Sequence, residues 1–552
     1  MTELVKPLPW WYRVDWLGFS ALSTALLLSL PILVIAGFVF SGSGDVFQHL
    51  LETVLIDYVS NSLLLIWGVG IGVLMIGVPT AWLTSVCEFP GRRLVSWALL
   101  LPLAVPAYII AYTYTGLLDF AGPVQTLIRD LTGWGYGDYW FFEVRSLTGA
   151  MLMLTLVLYP YVYLLSRAAF LEQSTNTLEV SRTLGLSNVQ AFFRVALPLA
   201  RPAIIAGLSL ALMETLADYG TVQYFGVSTF TTGIFRTFYG FGDAAAASQL
   251  AGFLLLFVAL LVVMEKYSRR KVRYHSSAET KAKAKRLKLR GWQAVMATLF
   301  CAGPILLGFI IPALQLAWWS FTQAEIETAE FISLAWNSFY LALLAALIAV
   351  SFALVLAYAR RLSSQPLVNG AVMVAGMGYA LPGTIIAVGV IIPFAWLDHR
   401  LIDMARNWLG VNPGLLLSGT LVALLFAYTV RFLAVSLGAV QSGLDKIKPS
   451  LDGAARSLGC TPLEVLRKIH IPLLRSSVLT AMLIVFVDVL KELPATLILR
   501  PFNFNTLAVR AFELASDERL VDAAPASLLI VLVGLVPVIM LSRTISRGRA
   551  GS

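Results

Sequence analysis

Apolar runs long enough to cross a membrane are the feature that most constrains this sequence. A helix needs about 20 apolar residues to cross a bilayer, and only helices and closed barrels satisfy their backbone hydrogen bonds there. Hydrophobic residues make up 58% of the chain and charged residues 13%. We therefore predict an all-α polytopic membrane protein with about twelve transmembrane helices. The apolar runs lie near residues 17–40, 62–86, 94–118, 147–166, 202–217, 244–264, 292–319, 337–358, 367–397, 415–437, 476–489 and 523–541.

A polar segment between these runs occurs twice. Residues 179–201 and 453–475 align without a gap at an offset of 274 residues. The positions that keep the same residue are Arg182/Arg456, Leu184/Leu458, Gly185/Gly459, Pro198/Pro472, Leu199/Leu473 and Arg201/Arg475. Pro106 and Pro382 also match, at an offset of 276 residues. The whole membrane region is therefore predicted to be an internal repeat.

The repeat divides the chain into two tandem halves of six helices each. We assign residues 1–264 to the first half, 265–291 to a basic linker and 292–552 to the second half. Because six is an even number, the second half enters the membrane in the same orientation as the first, which makes this a parallel duplication. The polar loops then occupy equivalent places, at about residues 170–201 and 440–475.

The linker orients the chain in the membrane. Eleven Lys and Arg residues lie between Glu265 and Arg290, and such an excess beside a membrane helix marks the cytoplasmic side. Counting helices from the linker places both polar loops and both termini in the cytoplasm. A basic run can also indicate nucleic-acid binding, but beside a membrane helix we interpret it as a solvated linker facing the lipid surface. No nucleic-acid partner is expected.

Each polar loop carries the local signals of two helices joined by a glycine turn. Gly185 and Gly459 follow helical stretches and fit the left-handed position that ends a helix, where a side chain costs about 1 kcal/mol or more. Residues 187–190 and 461–464 fit a capping box, with Ser or Thr at the N-cap and Gln or Glu three residues later. The start of the second short helix is thus predicted in both copies.

This duplicated unit resembles the cytoplasmic coupling loop, or EAA loop, of ABC-importer permeases. The resemblance implies that two copies of an ABC ATPase subunit dock on the chain, each receiving one short helix, and that a periplasmic binding protein delivers the substrate. It implies multi-pass insertion in the bacterial inner membrane. It assigns ATPase coupling to Glu179, Arg182, Gly185, Ser187, Arg194, Asp452, Arg456, Gly459, Thr461, Glu464 and Lys468.

The second copy departs from the pattern of that family at its acidic residue. The family's acid is present as Glu179, but the aligned residue of the second copy is Gly453, with Asp452 one position earlier. We therefore expect the second loop to make a weaker or rearranged ionic contact with its ATPase.

The sequence offers no catalytic motif of its own. It contains no G-x-x-x-x-G-K-[ST] phosphate-binding loop, so ATP and Mg are expected on a separate ATPase chain and no cofactor on this one. The histidines lie far apart, without a metal-ligand partner at i+3 or i+4; they are His49, His275, His399 and His470. We expect a transporter subunit rather than an enzyme. A twelve-helix secondary carrier is the remoter alternative, and the duplicated loops argue against it.

Two pairs of acidic residues lie within the apolar runs. Glu214 and Asp218 align with Asp488 and Glu492 at the offset of 274, and each pair is spaced i and i+4 on one helix face. Ionisable residues at membrane depth are costly and usually face a bundle interior or an aqueous path. In one interpretation the four converge on a substrate pathway that attracts cations and holds a metal at most transiently.

In the other interpretation these acids tie helices together. Lys491, Arg236 and Arg510 are the basic residues that we consider as their partners. The sequence leaves both interpretations open.

Over nearly its whole length the chain resembles the fused, double-length permeases of ferric-iron importers. The resemblance rests on residues 214–221, on residues 502–510 and on the fused length. Permeases for thiamine, polyamines and phosphonates are similar in layout and remain alternatives. The resemblance implies alternating access, in which ATP-driven closure of the ATPases brings the two coupling loops together.

Overall fold

The computed structural model describes residues 16–39, 44–135, 137–172, 185–270, 286–325, 327–363 and 365–547. Most of them are helical. The helices up to the linker are α1 (Trp16–Val39), α2 (Asp45–Thr53), α3 (Leu55–Val86), α4 (Arg92–Ala98), α5 (Ala107–Leu118), α6 (Pro123–Thr132), α7 (Leu147–Glu172), α8 (Asn188–Ala191), α9 (Leu197–Ala217), α10 (Gly220–Tyr224), α11 (Phe230–Gly240) and α12 (Ala244–Arg270).

Twelve further helices lie after the linker in the described part of the chain. They are α13 (Trp292–Ile305), α14 (Ile311–Thr322), α15 (Thr328–Leu362), α16 (Pro366–Ala375), α17 (Gly383–Leu409), α18 (Leu421–Leu444), α19 (Pro449–Ser457), α20 (Pro462–Val465), α21 (Ile471–Leu490), α22 (Pro494–Leu499), α23 (Leu507–Ser516) and α24 (Leu520–Arg547).

The predicted membrane spans are confirmed. Within the described ranges, eleven helices are long and apolar enough to cross a membrane, and a bent pair, Arg92–Ala104 with Ala107–Thr132, makes a twelfth if it is one span. The pair bends by 93° at Pro106, where the missing N–H and fixed φ of proline interrupt a helix. The second half breaks at the matching Pro382, between a 3₁₀ turn (Gly376–Ala380) and α17.

Three π-helical turns were not predicted, and each comes directly before an X-Pro pair. They are Phe192–Ala196, Leu306–Ile310 and Leu466–His470, followed by Pro198, Pro312 and Pro472. The residue before each proline donates its N–H to the carbonyl five residues back. A proline ring clashes with the carbonyl four residues back in an α-helix, and the wider π turn accommodates it. The short helices α8 and α20 therefore continue into α9 and α21, and Pro198 and Pro472 do not end them.

The chain divides into two compact units that differ from the two sequence halves. The smaller unit comprises Met1–Ser41 and Trp336–Phe504. In it, α1 packs on α16 and α17, and α18 packs on α21. Gly389 of α17 lies against α1 so closely that an added Cβ would be 2.6 Å from the carbonyl oxygen of Pro31. The first helix of the chain is thus a core element among residues of the second half.

The larger unit comprises Gly42–Ala335 and Asn505–Ser552. Its centre is α3, α7 and α9, which pack on one another. The last helix, α24, packs on α14 and on a 3₁₀ turn (Leu101–Ala104). This unit therefore combines the core of the first half with α13 and α14, the first helices of the second half.

The end of the predicted linker is held against the first half. Residues 271–285 lie outside the described part, but β2 (Leu287–Lys288) pairs in parallel with β1 (Cys87–Glu88). The carboxylate of Glu88 forms ion pairs with Arg92 at 3.1 Å and with Arg286 at 3.3 Å. The linker therefore ends at a fixed point beside α3.

The packing of α1 on α17 can be tested by adding one carbon atom. We expect Gly389→Ala to lower the free energy of unfolding by about 1–3 kcal/mol, because the new methyl group meets the backbone of Pro31. Gly370→Ala is the matched control, since an added Cβ on Gly370 of α16 meets nothing within 4 Å. The measurement is thermal unfolding of the purified chain in detergent. Equal stability of the two variants would contradict this packing.

Candidate functional site: the coupling loops and the membrane carboxylates

Both glycine turns adopt the predicted left-handed conformation. The φ angle is +83° at Gly185 and +81° at Gly459. An added Cβ at either position meets nothing within 4 Å. Glycine is therefore required at these turns by the backbone conformation and not by crowding.

Both capping boxes are formed. In the first loop the Ser187 hydroxyl accepts from the Gln190 N–H at 3.2 Å, and the Gln190 side chain accepts from the Ser187 N–H at 3.0 Å. In the second loop Thr461 and Glu464 make the same exchange at 3.4 and 2.9 Å. These bonds satisfy N–H groups that a helix start leaves free. Each short helix is thus fixed at its first turn.

The second loop adds a charge pair to its cap. Lys468 Nζ lies 2.9 Å from Glu464 Oε1. The hydrogen bond from Lys468, together with those from Thr461, lowers the pKa of Glu464 to about 2. Both side chains are exposed, as is Arg194 at the corresponding π turn of the first loop. The second short helix therefore carries a fixed anion beside a cation on its exposed surface.

Asp452 is turned inward. Its Oδ2 atom accepts from Arg361 Nε at 2.8 Å, and His470 Nε2 lies 2.7 Å from its Oδ1. Burial raises the pKa of Asp452, but the hydrogen bonds from Arg361 and His470 outweigh it and hold the pKa below the usual value. Three other predicted coupling groups, Glu179, Arg182 and the side chain of Arg456, lie outside the described part of the chain.

Two of the four membrane carboxylates cap the short helix that follows them. Asp218 accepts from the N–H of Val222 at 3.1 Å and from the Thr221 hydroxyl at 2.9 Å, at the start of α10. Glu492 accepts from the N–H groups of Ala495 and Thr496 at 3.1 and 3.0 Å, at the start of α22. In each repeat the second acid therefore stabilises a break between helices at membrane depth.

The acids of the second repeat also have basic partners. Arg431 of α18 lies 3.6 Å from Glu492, with 12% and 2% of the two side chains exposed, and Lys491 lies 2.9 Å from Asp488. An added Cβ on Gly383 would be 2.5 Å from Arg431 and 2.6 Å from Glu492, so a larger residue there would displace the ends of both side chains. The sequence reasoning missed Arg431. Its signal was a lone cation inside the apolar run of α18.

The remaining residues divide between the two interpretations. Arg510, considered above as a partner of these acids, pairs with Glu330 at 2.9 Å. Glu214 has no hydrogen bond or ion pair to any residue that the structure describes. Within the same ranges no group of three or more His, Cys, Asp or Glu residues is arranged to hold a metal ion. The geometry thus supports the helix-tying interpretation for Glu492, whereas Glu214 forms no ion pair with a residue that the structure describes.

Comparisons with known proteins agree with the repeat. The model of the family described as "binding-protein-dependent transport system inner membrane component" matches residues 18–274 and 349–547. The Fe(3+)-transport system permease protein FbpB 2 of Haemophilus influenzae is 26% identical over 534 residues, which is 96% of this chain and 98% of that protein. The ferric transport system permease protein FbpB of Actinobacillus pleuropneumoniae is 24% identical over 87% of this chain and 70% of its own length. The molybdenum transport system permease protein ModB of Escherichia coli is 29% identical over 27% of this chain and 62% of its own length.

The Arg431–Glu492 pair predicts a large effect on stability. Arg431→Met should cost about 3–5 kcal/mol, because it leaves a buried carboxylate without its partner. The double variant Arg431→Met with Glu492→Gln should recover part of that loss. Lys491→Met, which breaks a more exposed pair, should cost clearly less. Chemical unfolding in detergent measures all three, and additive losses in the double variant would show that the two groups are independent.

Proposed function

Because this chain belongs to the family of binding-protein-dependent transport system inner membrane components, we propose that it is the membrane-spanning permease of a ferric-iron ABC importer. The chain is a multi-pass inner-membrane permease. An importer of this family works with an ATPase and a binding protein. We further propose that its substrate is ferric iron, that two ATPase copies bind each chain, and that both termini lie in the cytoplasm.

The match to a ferric relative over both full lengths carries the substrate assignment. The alignment with that relative covers 96% of this chain, both halves included, whereas the alignment with the molybdenum permease of Escherichia coli covers 27% of it. A fused chain supplies both halves of the pathway from one polypeptide. We therefore place this chain with the fused ferric permeases and not with permeases of single-half length.

Glu214 is the acid that we propose to attract the cation. Asp218 caps α10, while Glu492 and Asp488 have basic partners. A carboxylate within a membrane helix that forms no ion pair with a described residue favours a positively charged cargo. The metal is substrate here, so this contact is brief and the high affinity belongs to the binding protein. No resident cofactor is proposed for this chain.

The capped short helices are the proposed ATPase contacts. Each begins at a fixed turn and continues through a π turn into α9 or α21, so a push on the short helix is delivered directly to a membrane helix. ATP and Mg bind in the ATPase subunits, where hydrolysis takes place. Because a ligand shifts an equilibrium only by its differential affinity for two states, ATP and the loaded binding protein must both favour the outward-open state.

The substrate is tested with the purified importer in proteoliposomes. The chain is reconstituted with its ATPase, the binding protein is added outside, and radioactive ferric citrate and molybdate are offered separately. We expect ATP-dependent uptake of iron and none of molybdate. Uptake of molybdate in place of iron would overturn the substrate, while absence of any ATP-dependent uptake or ATPase binding would overturn the importer assignment.

The glycine turns predict an uncoupled transporter. Gly185→Val and Gly459→Val together should reduce uptake at least tenfold while leaving the chain in the membrane, because a β-branched residue disfavours the positive φ that orients each short helix. Gly453→Ala is the control, since Gly453 lies within α19 in open space. Uptake and ATPase co-purification are measured together. Normal uptake by the double variant would refute the coupling-loop assignment.

A further inference from the structure

Three polar residues link the second coupling loop to the membrane helices of the smaller unit. Asp452 lies in α19, the first helix of the loop; Arg361 lies in the last turn of α15; and His470 is the last residue of the π turn that leads into α21. Asp452 contacts Arg361 at 2.8 Å and His470 at 2.7 Å, one with each carboxylate oxygen. One carboxylate thus joins three elements.

The link is shielded from water and extended by the backbone. Arg361 and Asp452 expose 13% and 14% of their side chains, and His470 exposes none. Arg361 also donates to the carbonyl oxygens of Leu444 at 2.6 Å and Ile447 at 2.9 Å, at the end of α18. Charge-assisted hydrogen bonds of this length are the strong ones. The loop helix α19 is therefore held to α15, α18 and α21 at a single point.

The first coupling loop has none of these groups at the matching positions. Under the repeat offsets, Arg361 corresponds to Ser85, Asp452 to Leu178 and His470 to Ala196. The Ser85 hydroxyl donates to Ala81 within its own helix, and Ala196 is buried. The three charged or ring-nitrogen groups of the second copy are thus replaced by two apolar side chains and a hydroxyl bonded elsewhere.

We propose that Arg361, Asp452 and His470 are positioning residues that transmit movement of the second coupling loop to the membrane helices. This inference rests on the function proposed above. A displacement of α19 must either carry α15 and the start of α21 with it or separate the shielded carboxylate of Asp452 from Arg361 and His470. The acid shifted by one position in the second copy, Asp452 in place of an aligned Glu, belongs to this internal link.

The experiment measures transport per ATP hydrolysed. His470→Ala gives the second copy the residue found at the matching position of the first, and Asp452→Asn removes the charge that joins the elements. In the reconstituted importer we expect both variants to keep ATP hydrolysis within about twofold of the unaltered chain and to lose about fivefold or more in substrate taken up per ATP. His470→Gln, whose amide nitrogen can replace Nε2, should restore the ratio.

A matched control and a second measurement separate this role from a structural one. Ser457→Ala changes a residue of α19 whose hydroxyl bonds only to its own helix, and its ratio should equal that of the unaltered chain. Thermal unfolding is recorded for every variant. Variants that lose stability while uptake per ATP stays unchanged would overturn the proposal, as would failure of His470→Gln to differ from His470→Ala. Failure of the unaltered chain to couple uptake to ATP would instead refute the function on which the proposal rests.

Discussion

Backbone hydrogen bonding in a medium without water is the constraint on which this structure depends. A buried N–H or C=O group without a partner costs several kcal/mol in hydrocarbon, and a proline removes one donor and displaces one acceptor. At five of its prolines the chain resolves this in one of two ways. At Pro198, Pro312 and Pro472 the helix widens into a π turn and continues. At Pro106 and Pro382 it stops, turns and starts again.

The same constraint explains the acids that the sequence places in the membrane. Where α9 and α21 end, a short helix begins within a few residues and exposes new N–H groups. The carboxylates of Asp218 and Glu492 accept hydrogen bonds from those N–H groups. A charge that is expensive at this depth thus offsets several unsatisfied donors at once. The matched acids of the two repeats therefore preserve a helix cap. Their recurrence alone does not require that they contact the substrate.

The membrane spans, the glycine turns and the capping boxes could be predicted because each depends on residues close together in sequence. The π turns could not, since apolar periodicity is insensitive to a one-residue change in hydrogen-bond register. The caps at Asp218 and Glu492 had a readable signal in the Thr221 hydroxyl three residues later and in Pro494 at a first helical position. The link from Arg361 through Asp452 to His470 had none, because its members are separated by 91 and 18 residues.

Hydropathy also could not say which helices pack together, because lipid tails solvate an apolar helix as well as a neighbouring helix does. This has a consequence for α1, whose partners α16 and α17 follow more than 300 residues later. At about 5–20 residues per second, the ribosome needs roughly 15–65 s to produce them. During that interval the bilayer solvates α1 at little cost. The smaller unit is therefore completed by the last part of synthesis, and a ribosome that stops in the linker leaves α1 inserted without its partners.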